Sequence, residues 1–330
     1  MIKFLDKKLS KIKKENFTKK DFILADAKDA DMGVGRRAPG FTREKNGKVT
    51  NKPASFQTYL EKMKKMTKSK LVDIMLMSTT SAERLIKKGI FKNSPVTPAI
   101  RLNDTSCIWG MIRHGQYDKH KSKHFATVQL RHAKKLVDLG LYSLTFNKNV
   151  DLDIAMLNAY RNFRNEAELI GMRYFLEVFN SSVIKLNTKE MGQYVNDCIL
   201  RSLAGQITKE KPLFLKIAYN GPAAMEELAS YDPGNLIIGV LGGSKGTTRD
   251  TFELVYQAEK YGAKVALFGR KINLSEDQKS IVTCMRKVIE GDISPSEGVK
   301  FYHDLLSKKN IIPDRNLKDD LNISDTVLLN

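Results

Sequence analysis

Eight short apolar runs, most of them followed by a helical pattern, constrain the fold of this chain more than any other feature. They occupy residues 22–25, 71–77, 96–102, 141–146, 173–179, 213–218, 236–241 and 264–268. The runs are continuously apolar rather than alternating, which indicates strands covered on both faces, as in parallel sheets. Strands alternating with helices form repeated βα units. Eight such units in 330 residues predict an α/β fold, a (β/α)8 TIM barrel forming a single domain over residues 1–330. An open Rossmann sheet is the competing arrangement, but no G-x-G-x-x-G follows the first run.

Helix starts support the same division. Thr247-Thr248-Arg249-Asp250 reads as a capping box for a helix ending near Gly262, and Ser275-Glu276-Asp277-Gln278 repeats the pattern after run eight. Residues 151–170 read as a long amphipathic helix. Residues 1–20 carry Ile2, Leu5, Leu9 and Ile12 at helical spacing and are expected to close the barrel bottom. Residues 310–330 read as a loosely packed tail. Two connections are long, 26–52 and 103–124, and in a barrel such loops shape the substrate pocket.

Composition narrows the function classes. Apolar content of 42% is ample for a core, and three dispersed cysteines without a CxxC pair point to a reduced, cytoplasmic protein without structural metal. No stretch reaches the roughly 18 apolar residues that span a bilayer, and residues 1–6 lack the apolar core of a secretory signal. The net charge of +19 could serve a polyanion, but the lysines are scattered over helix faces with no interleaved aromatics or recognised module. Neither a specific nucleic-acid partner nor a membrane is expected, and homo-oligomerisation stays open.

The chemistry is carried by charges inside apolar strands. Lys216 sits within Leu213-Phe214-Leu215-Lys216-Ile217-Ala218, and Glu177 within Tyr174-Phe175-Leu176-Glu177-Val178-Phe179. Burying either alone would cost several kcal/mol, so the two are expected to face one another in the barrel interior. A desolvated lysine amine is the nucleophile that condenses with a carbonyl to form a Schiff base. Strand seven ends in Gly242-Gly243-Ser244 and strand eight in Gly269-Arg270. The glycines let backbone N–H groups approach an anion, the helix that follows strand seven adds its dipole, and the guanidinium can bind phosphate bidentately. Barrels commonly bind phosphate after strands seven and eight. Strand one ends in Asp26, followed by Lys28, Asp29 and Asp31, and strand three carries Arg101 followed by Asn103-Asp104.

The order Asp26, Glu177, Lys216, Gly-Gly-Ser244 and Gly-Arg270 resembles the class I aldolases of the (β/α)8 barrel type. Tagatose-bisphosphate and sulfofructose-phosphate aldolases are the nearest, with archaeal-type fructose-bisphosphate aldolase next. The resemblance spans residues 20 to about 305 and is sharpest over 213–275. It implies that Lys216 forms the imine, that Glu177 is the acid/base partner, and that Asp26 assists proton transfer and binds a substrate hydroxyl. It also implies that no cofactor is required, since the iminium serves as electron sink. Two departures bear on the substrate: Ala27-Lys28 follow Asp26 where these aldolases carry Gln-Arg, and strand four has no lysine. Lys28, Arg101 and the loop with His114 are then the groups expected to contact the sugar. The expected activity is reversible aldol cleavage of a phosphorylated ketose or related keto compound. A transaldolase, a thiolase-like transferase and a non-catalytic phosphate- or polyanion-binding barrel are the alternatives.

Overall fold

A computed structural model describes residues 2–329, apart from the side chains of residues 109–111. Eight parallel strands close a barrel: β1 (Ile23–Lys28), β2 (Ile74–Met77), β3 (Thr97–Arg101), β4 (Leu139–Thr145), β5 (Arg173–Phe179), β6 (Leu215–Ile217), β7 (Gly239–Leu241) and β8 (Val265–Phe268). They neighbour one another in chain order, and β8 pairs back onto β1. The fold is a (β/α)8 TIM barrel. Each apolar run contributes one strand, and the differences lie at the ends, where β1 runs on to Lys28 and β4 starts at Leu139.

Alternation along the strands sorts side chains into two cores. Ile23, Ala25 and Ala27 of β1, Phe175 of β5, Phe214 before β6, and Val265 and Leu267 of β8 fill the barrel interior. Leu24, Leu176, Leu215, Ile217 and Phe268 pack outward against the helices. Helix Phe4–Lys13 adds Leu5, Leu9 and Ile12 to the interior cluster, plugging the barrel below β1 and β5, while Ile2 is exposed. Each plug side chain contributes about 1.5–3 kcal/mol by leaving water.

Close strand contact depends on Gly239, where a Cβ would come within 2.4 Å of the Leu215 carbonyl oxygen. The helix Thr248–Lys260 has the capping box anticipated at Thr247 and Asp250. The second box does not form: Asp277 alone caps helix Gln278–Glu290 by accepting from the Ser280 amide. Aspartate outcompetes Ser275 there because its carboxylate reaches the first-turn amides directly.

Residues 310–329 are tied down rather than loose. Asp250 accepts hydrogen bonds from the Ser324 amide and hydroxyl, Asp320 accepts from the Thr248 amide, and Leu328 is buried. Asp314 ion-pairs with both Arg43 and Lys245, which lie on the loops after β1 and β7. No helix among the described residues is long and apolar enough to cross a membrane.

Candidate active site

Register places the key charges side by side. Glu177 on β5 is level with Ser143 on β4 and with Lys216 on β6. Glu177 occupies the same inward face as Phe175, and Lys216 the same inward face as Phe214. Both side chains are buried, and Lys216 Nζ lies 2.6 Å from Glu177 Oε1. The second carboxylate oxygen is fixed separately: Glu177 Oε2 accepts from Arg101 Nη2 at 2.8 Å and from Ser143 Oγ at 2.9 Å. One oxygen is therefore anchored and the other is reserved for the lysine.

Arg101, at the end of β3, is the hub of this buried network. Its Nε donates to Asp29 Oδ2 at 2.5 Å, and Nη1 donates to Asp104 at 3.1 Å and to Ser143 at 2.8 Å. Asn103 locks the neighbouring strands together by donating to the Ser143 carbonyl and accepting from its amide. Burial would raise the Asp29 carboxyl, but Arg101 and Lys216 outweigh it and hold the pKa below the ordinary value. Asp104 goes the other way, pushed up to about 7 by burial, with Arg101 opposing the shift and Asp29 and Glu177 adding to it. The cluster thus has three carboxylates against two cations, and burial settles the excess on Asp104.

These residues open into a cavity of about 410 Å3. Lys216, Glu177, Arg101 and Asp29 form its floor, and Gly242, Gly243, Gly269 and Arg270 border the side just past the C-terminal ends of β7 and β8. Gly243 has φ +64°, a conformation that disfavours any residue with a Cβ. Arg270 Nε donates to the Gly243 carbonyl at 2.9 Å, joining the two loops at the rim.

Four anticipated site residues lie elsewhere. Asp26 and Lys28 sit on the outward face of β1, flanking inward Ala27, and are sealed behind the strand. Lys28 Nζ contacts both Asp26 oxygens at 2.5 and 2.7 Å, and the pair is within electrostatic reach of Lys62 and Tyr59 on helix Phe56–Ser69. The reason is parity: β1 continues three residues beyond its apolar run with Ile23, Ala25 and Ala27 inward, so Asp26 faces the helices. Asp29, just past the strand, takes the place by the cavity that Asp26 was expected to fill.

Ser244 is exposed and does not line the cavity. Nor is the helix after β7 open to an anion. The Thr247 amide donates to Asp250, the Asp250 amide to Thr247 Oγ1, and the Thr248 amide to Asp320. His114 is likewise exposed, away from the cavity.

Sequence reasoning underweighted Asp29, Asp104 and Ser143. Only a correct parity for β1, and the knowledge that Arg101 points inward, would have singled them out.

No protein-family model matches the sequence, and no curated protein matches it. Solved structures do. An archaeal fructose 1,6-bisphosphate aldolase superposes with a TM-score of 0.61 at 14% identity, covering 87% of this chain and 99% of that one. This chain shares the (β/α)8 barrel fold of that structure. An archaeal fructose-1,6-bisphosphate aldolase whose catalytic lysine is covalently bound to the carbinolamine intermediate gives 0.60 at 15% identity, with coverages of 87% and 100%. The fructose-bisphosphate aldolase of Slackia heliotrinireducens gives 0.63 at 12% identity, with coverages of 90% and 89%.

Proposed function

We propose that this protein is a class I aldolase that cleaves and forms a C–C bond in a phosphorylated keto compound through a Schiff base on Lys216. The observation that carries this reading is the Lys216–Glu177 pair, buried yet open to the cavity, on the barrel face where such enzymes work. The aldolase fold of the solved structures supports it.

The pair suggests its own sequence of events. Lys216 passes a proton to Glu177 Oε1 and attacks the substrate ketone; Glu177 returns that proton to the carbinolamine hydroxyl, which leaves as water and gives an iminium. Nζ then no longer donates to Oε1 in the same way, while Oε2 stays held by Arg101 and Ser143. The released Oε1 takes the proton from the substrate hydroxyl as the C–C bond breaks, with the electron pair flowing into the iminium to give an enamine. Reprotonation of the enamine and hydrolysis return the free lysine. Asp29, rather than Asp26, is positioned to accept a substrate hydroxyl. The backbone amides of Gly243 and Gly269, together with Arg270, supply the phosphate contacts, whereas the Gly242 amide is spent on the Leu267 carbonyl.

Borohydride trapping tests the proposal. Incubation with dihydroxyacetone phosphate and borohydride should inactivate the protein and leave the reduced adduct on Lys216 by peptide mass. Lys216→Met should abolish the adduct and slow turnover by at least about three orders of magnitude, with the fold retained because methionine suits the apolar strand. An adduct on Lys245 or Lys271 instead would refute it. Release of free aldehyde without an added acceptor separates the aldolase from a transferase.

A further inference from the structure

The cavity has a second arm that the chemistry above does not use. From the floor at Lys216 and Glu177 it continues between the loop after β1 and the turn after β8. There its walls are Ala30, Val34, Ala38, Phe41, Tyr59 and Leu274. Near the reacting carbon it is bordered by Ile108 and Phe179. The arm is built rather than incidental. Asn273 Nδ2 donates to the Ala38 carbonyl at 2.9 Å, fixing the β1 loop on the β8 turn, and Lys62 Nζ donates to the Pro39 and Asn273 carbonyls. Tyr59 is fully buried at its end, with no acceptor for its hydroxyl proton.

Polar groups are few for a substrate there: of the other lining residues, Asn273 spends its Nδ2 on the Ala38 carbonyl and Arg37 is exposed. On the floor, Arg101 is committed to Asp29 Oδ2, Ser143 and Glu177 Oε2, which among the described residues leaves Glu177 Oε1 and Asp29 Oδ1 as the carboxylate oxygens without a side-chain donor once Lys216 becomes an imine. Two acceptors can serve the hydroxyl that loses its proton and one neighbour. The further hydroxyls of a sugar chain would meet Val34, Ala38 and Leu274, none of them exposed, and would lose water there without replacement partners.

We propose that this arm binds a hydrocarbon group, so that the aldehyde half of the substrate is aryl or branched alkyl rather than polyhydroxylated. The inference rests on the Lys216 Schiff-base reading and deepens it. In the synthetic direction dihydroxyacetone phosphate forms the iminium with loss of water, and Glu177 removes a C3 proton to give the enamine. The enamine carbon bonds to the aldehyde carbon while Glu177 returns that proton to the aldehyde oxygen. Water then hydrolyses the new iminium and frees the lysine. The aldehyde side chain is what enters the arm, and Tyr59 can donate to a single polar atom at its tip.

The test is acceptor selectivity with dihydroxyacetone phosphate as donor. Phenylacetaldehyde and isovaleraldehyde should be used with kcat/KM at least tenfold above glyceraldehyde and glyceraldehyde 3-phosphate. In Val34→Trp, which narrows the arm, the ratio of phenylacetaldehyde to glyceraldehyde should fall at least tenfold, and as a ratio within one preparation it does not depend on how much protein folds. Trapping of the donor on Lys216 with glyceraldehyde preferred would overturn this inference and leave the aldolase reading standing. An unchanged ratio in Val34→Trp would overturn it too. Absence of any adduct on Lys216 would overturn both.

Discussion

Among the described residues the barrel holds two lysine–carboxylate pairs with both partners buried, and they differ in nearly everything but burial. Asp26–Lys28 lies on the outer face of β1, with both side chains at 0% exposure and the lysine contacting both carboxylate oxygens. Lys216–Glu177 lies on the inner face of β5 and β6, reaches a cavity, and uses only one of the two glutamate oxygens. The outer pair has no space in which to meet a substrate. In the inner pair the lysine can become an imine, because Arg101 and Ser143 hold the glutamate in place when its partner changes. A buried charge therefore marks chemistry only when a cavity reaches it and its counter-ion has a second support. Without those, the pair is a neutralised piece of core.

The sharpest way to break this comparison is to disable the inner pair without emptying it. Glu177→Gln keeps the shape and an acceptor for Arg101 but cannot carry a proton. Cleavage should slow by roughly two to four orders of magnitude, while borohydride still traps substrate on Lys216. Near-normal turnover would move the proton-transfer role to Asp29.

The outer pair should respond in stability instead. Lys28→Met leaves the Asp26 carboxylate buried without its counter-ion and should lower unfolding free energy by about 3–5 kcal/mol, read from denaturant midpoints. Asp26→Leu combined with Lys28→Met should recover most of that loss. Imine trapping on Lys216 in the folded fraction should persist, and its disappearance would show that the two pairs are coupled.

Arg270→Ala removes a charged contact at the rim. Apparent affinity for a phosphorylated substrate should fall by about ten- to a hundredfold, equivalent to roughly 1.5–3 kcal/mol. The same kinetics on an unphosphorylated analogue should change little, and an equal loss on both would place the anion elsewhere.

The smallest effect concerns pH. Asp104 titrates near 7 in the folded protein against an ordinary 3.8, so folding binds its proton more tightly. Its contribution to stability is full below about 4, declines as pH rises, and is lost above about 7. Asp29, held low, acts oppositely and loses its contribution only as pH falls below the ordinary carboxylate range. Asp104→Asn should therefore flatten the decline in stability between pH 5 and pH 8 by on the order of 1–2 kcal/mol. Parallel midpoints for variant and parent across that range would mean that Asp104 does not titrate there.

Much of this was legible in the residues. Continuous apolar runs separated by helical patterns specify a parallel sheet, and their number closes it, because each strand needs both faces covered and an eight-stranded sheet covers its inner face with itself. Glu177 and Lys216 were legible for a related reason: a lone charge in a run that must be buried requires a partner, and each supplied the other. The glycines after β7 and β8 were legible because a strand end rich in glycine leaves backbone exposed to a ligand.

What only the tertiary structure decided is the side of the sheet. Asp26 and Asp29 are three residues apart in the same short stretch, and a shift of one position in where β1 ends exchanges core for cavity. Nothing in Ala25-Asp26-Ala27-Lys28 records that parity, since alanine suits either face and the Asp–Lys pair neutralises itself wherever it lies. The same holds for Arg101, expected at the sugar but committed to three carboxylates that arrive from β1, β5 and its own loop. It holds also for the amides after β7, which the C-terminal segment covers through Asp320, some seventy residues downstream. Local sequence sets which groups must be buried or exposed, whereas their partners are chosen by chain segments that meet only when the barrel closes.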